Sequence, residues 1–217
     1  CERYSLVFNG EIYNYRELRE TLSPDFSFRT QSDTEVLLNA YIKWGKDCLE
    51  YLNGMFAFAI YDRAKSKIFA ARDRFGVKPF YYHEGESVFA FASEIKALHA
   101  YGLPKKPNER MWASYLIKGV YSWHGNTFWE GVKELPPGHY LEVDSDAKVK
   151  IKPWYNFAEK IEKLSNDETY CNRTQEEHLR VYEALLIDAV KLRFRSDVPV
   201  GFNVSGGLDS STLLGVI

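Results

Sequence analysis

No stretch of the sequence stays apolar over the roughly 18 to 20 residues that a membrane-crossing helix needs, and no signal-peptide pattern is visible, so no membrane partner is expected. Charge of one sign is also missing. The 217 residues carry 28 Lys and Arg against 30 Asp and Glu, a formal charge of -2. The signs are mixed along the chain with no basic stripe, which excludes the electrostatic footprint of a nucleic-acid binder. Cysteine is sparse: Cys1, Cys48 and Cys171 are odd in number and lack metal-ligand spacing. That usage fits a reducing compartment, with the cytoplasm as the expected location. Without a secretion signal, the sequon Asn172-Arg173-Thr174 is read as a chance match. No internal repeat is present. Apolar and aromatic residues, 45% and 16% of the chain, are plentiful enough for one large core or two modest ones.

The periodicity divides the chain. Tyr4 to Phe8 reads as a strand that ends in a turn at Asn9-Gly10. Asn14, three residues before Glu17, is expected to cap a short helix to about Leu22, and Phe26 to Thr30 to form a short strand. Ser32 and Glu35 make a capping-box pattern ahead of Val36, Leu37, Ala40, Tyr41 and Trp44, a helix ending near Gly45. From Met55 the period becomes that of strands. Phe56 to Tyr61 with Lys67 to Ala71, Phe80 to His83 with Ser87 to Phe91, and Tyr140 to Val143 with Lys148 to Ile151 read as three hairpins. Short helices are expected at Glu94 to Ala100 and Glu109 to Gly119. The polar stretch 158–175 shows little periodicity and reads as a linker, after which Glu176 to Arg195 restores a helical stripe. The expected fold class is therefore α/β in the α+β sense. Residues 1–157 form a first domain of mostly antiparallel strands, and 176–217 open a parallel α/β domain.

Two constellations carry chemistry. In the first, the apolar run Val200 to Val204 reads as a buried strand, Ser205-Gly206-Gly207-Leu208-Asp209-Ser210-Ser211 as a tight loop, and Ser211 to Ile217 as the first turns of a helix. Glycines allow close backbone approach, successive N–H groups form a nest, and a helix N-terminus adds partial positive charge. The loop therefore suits phosphate oxygens. Ser205, Ser210 and Ser211 add hydroxyls, and Asp209 could hold a magnesium ion that bridges phosphates. No Lys follows the glycines, which argues against a Walker-type loop.

The second is Asn9-Gly10-Glu11 with Asp33 downstream. An Asn amide and an unencumbered Gly N–H could donate to a developing oxyanion, and Glu11 and Asp33 could bind an α-ammonium group. On the residues alone, the pattern reads as a hairpin turn and a helix cap rather than as a site.

The loop Ser205 to Ser211 resembles the pyrophosphate loop of N-type ATP pyrophosphatases. That resemblance implies ATP and magnesium, with Val204 beside the adenine and Asp209 acting through the metal. Val7 to Glu17, Ser32 to Leu38, Asn53 to Asp62, Arg72 to Tyr82, Ser93 to Leu98 and Leu135-Pro136-Pro137-Gly138 resemble, in order, the glutamine-hydrolysing asparagine synthetases. The likeness spans nearly the whole chain. It implies a class II glutamine amidotransferase domain with the N-terminal-nucleophile hydrolase sandwich, joined to an adenylating synthetase. Asn9 and Gly10 would form the oxyanion hole. Asn9, Gly10, Glu11 and Asp33 would hold glutamine. Aspartate and ATP would give an aspartyl-adenylate that ammonia attacks, in a cytoplasmic enzyme for which a homodimer is a compatible assembly. Arg72 to Tyr82 is expected to be a structural ion-pair network supporting the domain interface. Related readings are an amidotransferase or cyclase acting on another carboxylate, and a domain that senses glutamine without hydrolysing it.

In that family an N-terminal Cys is the nucleophile, and this sequence begins with Cys1. Eight residues at about 3.3 Å each place Cys1 some 26 Å from Asn9 along one strand, whereas a nucleophile must come within about 3 Å of the reacting carbon. Cys1 is thus not expected to be the nucleophile. The sequence reads as a fragment, with the nucleophile, the first strands of the sandwich and an Arg that contributes to glutamine binding expected upstream, and the rest of the synthetase downstream.

Overall fold

A computed structural model describes residues 2–86 and 88–217. Residues up to Asn156 make one compact unit and Phe157–Ile217 a second. In the first unit, β1 (Tyr4–Ile12), β2 (Gly54–Asp62), β3 (Lys67–Arg72), β7 (His139–Val143) and β8 (Val149–Pro153) form an antiparallel five-stranded sheet in the order β1-β2-β3-β7-β8. A smaller antiparallel sheet has the order β5-β4-β6, from β4 (Tyr81–Glu84), β5 (Phe89–Ala92) and β6 (Lys133–Glu134).

The alternation along β2 explains the layering. Phe56, Phe58 and Ile60 face one side and join Phe69, Tyr140 and the helices α1 (Tyr15–Leu22) and α2 (Asp33–Trp44) in one core. Ala57 and Ala59 face the other side, where with Ala70, Leu141 and Val143 they meet Phe80, Tyr82 and Leu135 of the smaller sheet's layer. Large side chains on one face and alanines on the other follow from period-two geometry. The alanines let the second layer, rich in aromatics, approach closely. Helix α1 contributes Leu18 and Leu22 and helix α2 Val36, Leu37 and Ala40 to the helix-side core. The remaining helices of this unit are α3 (Cys48–Tyr51), α4 (Ile95–Tyr101) and α5 (Glu109–Lys118).

The three expected hairpins are present as β2–β3, β4–β5 and β7–β8; Ser87 lies outside the described residues. Several local expectations are corrected. Phe26 to Thr30 is not a strand: Phe26 and Phe28 pack on the core from an irregular loop. Asn14 does not cap α1 with its side chain. Its amide donates to the Tyr51 carbonyl at 2.9 Å and accepts from the Asn53 N–H at 2.9 Å, tying the helix start to the β2 approach.

Ser32 caps α2 by accepting from the Thr34 N–H at 3.0 Å, but Glu35 does not complete a capping box. It accepts instead from the Arg29 N–H at 2.9 Å and from the Thr30 N–H and hydroxyl, each at 2.7 Å. The Arg29 N–H, followed by the Thr30 donors, holds the Glu35 carboxyl below its ordinary value of 4.5. A depressed carboxylate contributes stability that is complete above the unfolded-state value and is lost as pH falls through the folded one. The stability difference between the wild type and Glu35→Gln is therefore expected to be constant near neutrality and to shrink as the pH drops below about 4.5, read by urea midpoints across pH.

A buried polar knot joins the layers. Arg72 donates to the Lys78, Leu135 and Gly76 carbonyls at 2.7, 2.6 and 2.9 Å and to Glu134 at 2.8 Å. Asp73, 1% exposed, accepts from the N–H groups of Phe56, Phe75, Val77 and Lys78. Arg74 donates to the Leu52 carbonyl at 2.6 Å and stacks over Trp154, whose indole N–H donates to the Arg72 carbonyl at 3.0 Å. In place of the expected ion-pair network at a domain interface, these are mostly charge-to-backbone bonds within the first unit, which satisfy the backbone of the turn from Asp73 to Lys78.

The second unit holds α6 (Phe157–Ser165), α7 (Glu168–Cys171), α8 (Gln175–Arg193) and α9 (Leu208–Val216). The stretch 158–175 is thus partly helical. Thr174 and Glu177 form a reciprocal capping box at the start of α8, with the Glu177 N–H donating to the Thr174 hydroxyl at 3.3 Å and the Thr174 N–H to the Glu177 carboxylate at 2.7 Å.

Candidate active site

The Asn9-Gly10 pair is not a turn. Strand β1 continues through it to Ile12, with Asn9 opposite Ala57, Gly10 opposite Phe56 and Ile12 opposite Gly54. Antiparallel pairs alternate between those that exchange backbone hydrogen bonds and those that do not. Beyond one end of this ladder the Arg63 N–H donates to the Arg3 carbonyl at 3.0 Å, and beyond the other the Tyr13 N–H donates to the Asn53 carbonyl at 2.8 Å. Odd-numbered residues of β1 therefore bond to β2, and even-numbered residues turn their backbone groups to the outer edge of the sheet. Two further contacts agree. The Ile12 N–H donates outward to Asp33 Oδ2 at 3.0 Å. The partner of Gly10, Phe56, has its N–H and carbonyl engaged on the other side by Asp73, at 3.2 and 2.8 Å. The Gly10 N–H consequently points away from β2, to the outer edge of the sheet that the described residues form.

Glycine is required there by space. A Cβ on Gly10 would run into the Met55 carbonyl oxygen and stand 2.7 Å from Phe56 Cα, and one on Gly54 would meet the Glu11 carbonyl oxygen. The two strands press together at this end.

Side chains follow the same parity. Tyr4, Leu6, Phe8 and Ile12 belong to the helix-side core, so Asn9 and Glu11 project from the opposite face. There the Asn9 amide nitrogen donates to the Ser93 hydroxyl at 3.1 Å, across from β1 to the end of β5. Both line a cavity of about 160 Å³ otherwise walled by Val7, Ala57, Ala59, Phe80 and Phe91 with their neighbours. Asn9, Gly10 and Asp33 are thus brought to one end of β1, with Glu11 between them in sequence and exposed. Asp33 Oδ2 is engaged by Ile12, and Oδ1 lies 3.4 Å from the Thr34 hydroxyl.

The second constellation lies by itself in the second unit. Val200 to Val204 is not assigned as a strand: among the described residues it has no strand to pair with, and a lone segment cannot satisfy its backbone. Helix α9 starts at Leu208, earlier than expected, with Gly207 at the cap position and no side chain capping it. The loop is curled by its own hydroxyls, with the Ser205 N–H donating to Ser210 Oγ at 3.2 Å and Ser210 Oγ donating to the Gly207 carbonyl at 3.1 Å. Gly206 has φ +81°, a left-handed conformation that favours glycine, and nothing lies within 4 Å of where its Cβ would stand. The first-turn N–H groups of α9, at Leu208, Asp209 and Ser210, have no intrahelical partners, an arrangement that suits an anion. Asp209 and Ser211 are exposed, and Val204 is 49% exposed. Among the described residues no cluster of three His, Cys, Asp or Glu could hold a metal by itself. A single exposed Asp fits a magnesium ion whose other ligands are phosphate oxygens and water.

The sequence model of the family described as glutamine amidotransferase domain matches residues 1–155. The chain belongs to this family. A second family model, asparagine synthase, matches residues 181–217. Over 99% of its length the chain is 39% identical to asparagine synthetase [glutamine-hydrolyzing] 3 of Bacillus subtilis (strain 168), of which it covers 34%. It is 42% identical over 98% of its length to a Methanocaldococcus jannaschii protein provisionally named asparagine synthetase [glutamine-hydrolyzing] 2, covering 40% of that protein. The chain thus spans about a third to two-fifths of the length of these relatives. Among solved structures, glutamine phosphoribosylpyrophosphate amidotransferase from B. subtilis, complexed with ADP and GMP, superposes with a TM-score of 0.52 at 22% identity. That match covers 70% of this chain and 29% of that one, and it supports the α+β sandwich.

Within the amidotransferase domain, the described residues offer no thiol suited to attack an amide. Cys48 is fully buried in the helix-side core, and burial pushes its thiol up to about 12. Cys171 belongs to the second unit, and Cys1 lies outside the described residues. What the end of β1 does present is a backbone N–H, a side-chain amide and two carboxylates. Those groups suit an α-amino acid whose side-chain carbonyl is to become an oxyanion. Ser93 was not singled out in the sequence as a site residue. Its only signal was its place at the start of Ser93-Glu94-Ile95-Lys96-Ala97-Leu98.

Proposed function

We propose that the chain supplies the glutamine-hydrolysing part, and the opening of the adenylating part, of an enzyme that makes asparagine from aspartate, glutamine and ATP. The observation that carries this reading is the outward-facing Gly10 N–H beside Asn9, on a strand end that also anchors Asp33. Glutamine would enter with its side-chain carbonyl oxygen toward the Gly10 N–H and the Asn9 amide, and its α-ammonium toward Glu11 and Asp33. A thiolate would attack the amide carbon, and the two donors would stabilise the tetrahedral oxyanion. The C–N bond would then break with proton transfer to nitrogen, releasing ammonia and leaving a thioester for water to cleave to glutamate.

ATP would lie on Ser205 to Ser211 with Val204 beside the base. The open space at Gly206 and the first-turn N–H groups of α9 support that placement. Asp209 would hold magnesium; the aspartate carboxylate would take the adenylyl group of ATP with release of pyrophosphate, and ammonia would displace AMP from the aspartyl-adenylate to give asparagine. The boundary near 157 accords with the two compact units, and the domains at 1–157 and 176–217 with the two family matches; the linker at 158–175 is part of the same reading. A cytoplasmic setting accords with the free Cys48 and Cys171, and a homodimer is part of the same reading.

The test is to give the full-length gene product aspartate, ATP and glutamine labelled with nitrogen-15 in its amide. The label is expected in the amide of asparagine. Label found as ammonium with no asparagine formed would discard aspartate as acceptor, and no release from glutamine would discard amide hydrolysis.

A further inference from the structure

We propose that Ser93 is a positioning residue for the oxyanion donor, holding the Asn9 amide in the orientation that presents an N–H to the reacting carbonyl. This inference rests on the glutamine-hydrolysis reading of Asn9 and Gly10. Asn9 stands on the five-stranded sheet and Ser93 directly follows β5 of the other sheet, so their 3.1 Å bond spans the two layers. The cavity they share is otherwise apolar, lined by Val7, Phe8, Ala57, Phe58, Ala59, Phe80, Phe91 and Ala92. In that lining, Ser93 is the polar side chain that meets the Asn9 amide.

The need for such a partner follows from the chemistry of an amide side chain. The terminal torsion of Asn is broad and roughly two-fold, and a half turn exchanges the NH₂ donor for the carbonyl acceptor. An acceptor facing a developing oxyanion would repel it, so an unheld Asn9 would spend part of its time in an orientation that opposes catalysis. Engaging one N–H on the Ser93 oxygen fixes the amide plane and leaves the second N–H for the substrate. The Gly10 N–H needs no such help, because the strand ladder itself fixes its direction. Ser93 also couples the donor to the spacing of the two sheets, so an oxyanion site placed on an edge strand acquires a second point of support.

The experiment uses the full-length gene product, with glutamine hydrolysis followed for Ser93→Ala, Ser93→Thr, Asn9→Ala and the double variant, and folding checked by thermal unfolding. Ser93→Ala is expected to lower kcat about 10-fold, the scale of one neutral hydrogen bond, with KM for glutamine within about twofold because the loss is felt in the transition state. Ser93→Thr keeps the hydroxyl and is expected to stay within about threefold of wild type. The double variant is expected to be no slower than Asn9→Ala alone, since Ser93 acts through Asn9. If Ser93→Ala does not fold, Ser93→Cys, whose sulfur is a weak acceptor, takes its place. Wild-type kcat in Ser93→Ala alongside a defective Asn9→Ala would overturn the positioning role alone, as would additive losses in the double variant. Full hydrolysis by Asn9→Ala would instead overturn the underlying reading of the site.

Discussion

Asn9→Ala in the full-length gene product is expected to slow thioester formation from glutamine by about 100-fold or more, the usual effect of removing one oxyanion donor. The loss should be specific. The backbone of residue 9 still pairs with Ala57, and Asn9 makes no contribution to the apolar core on the other face of β1. The variant should therefore fold like the wild type, with an unchanged thermal unfolding midpoint. Single-turnover release of ammonia from glutamine reports the affected step directly. The Gly10 N–H remains in Asn9→Ala, so a residual rate is expected rather than none. An unchanged rate would reduce Asn9-Gly10 to a stretch of edge strand, and a lowered unfolding midpoint would point to misfolding.

The sequence signals that proved reliable were those in which local chemistry and tertiary demand coincide. Phe56 to Ile60 alternates aromatic or branched residues with alanines, because one face of β2 fills a thick helix-side core while the other admits a second sheet at close range. The Asp144-Ser145-Asp146 turn between β7 and β8 is set by Asp144, which accepts from the Asp146 and Lys148 N–H groups at 3.0 Å each. Such a turn can be read from a few adjacent residues.

The misread elements share a different cause. Asn9-Gly10 has the composition of a hairpin turn, yet its conformation is decided by pairing with Phe56 and Ala57, nearly fifty residues away. Asn14 and Glu35 have the composition of caps, yet both side chains find backbone partners outside their own helix. Phe26 and Phe28 are apolar enough for a strand, but the core takes their rings without needing their backbone in a ladder. Strand β6, two residues long, exists because it lies beside Tyr81 and Tyr82, and a two-residue run carries no period to detect. In each case a donor or acceptor distant in the chain outbid the local preference, as expected when every buried backbone group must be paired.

The same distinction separates the parts of the site. Gly10 could be named from the sequence, but the reason it must be glycine is steric and lies on the neighbouring strand at Met55 and Phe56. Asp33 could be named as a carboxylate near a helix start, but its attachment to the Ile12 N–H needed the strand edge to be known. Ser93 was hidden because it is 84 residues from Asn9. In the loop Ser205 to Ser211 the glycine turn and the following helix were legible, although α9 begins at Leu208 and the strand expected before the loop is not assigned. The loop's geometry is local: Ser205, Gly207 and Ser210 hydrogen-bond among themselves, and the helix that supplies the N–H groups begins within the motif.

That local geometry makes the effect of Asp209→Ala a separable one. The substitution is expected to abolish aspartate-dependent pyrophosphate release from ATP while leaving glutamine hydrolysis in place. Asp209 is the second residue of α9 and is exposed, and the hydrogen bonds that curl the loop run among Ser205, Gly207 and Ser210. Alanine is a good helix former, so the curl of the loop and the start of α9 should survive. What disappears is a negative charge at the place where phosphate oxygens would gather, and with it the means of holding a divalent cation against them. Asp209→Asn preserves shape and removes charge, so it should show the same defect, partly relieved by raising the magnesium concentration. Pyrophosphate release at the wild-type rate in Asp209→Ala would remove Ser205 to Ser211 from the ATP site. Parallel loss of glutamine hydrolysis would mean instead that the two activities are not separable in this protein.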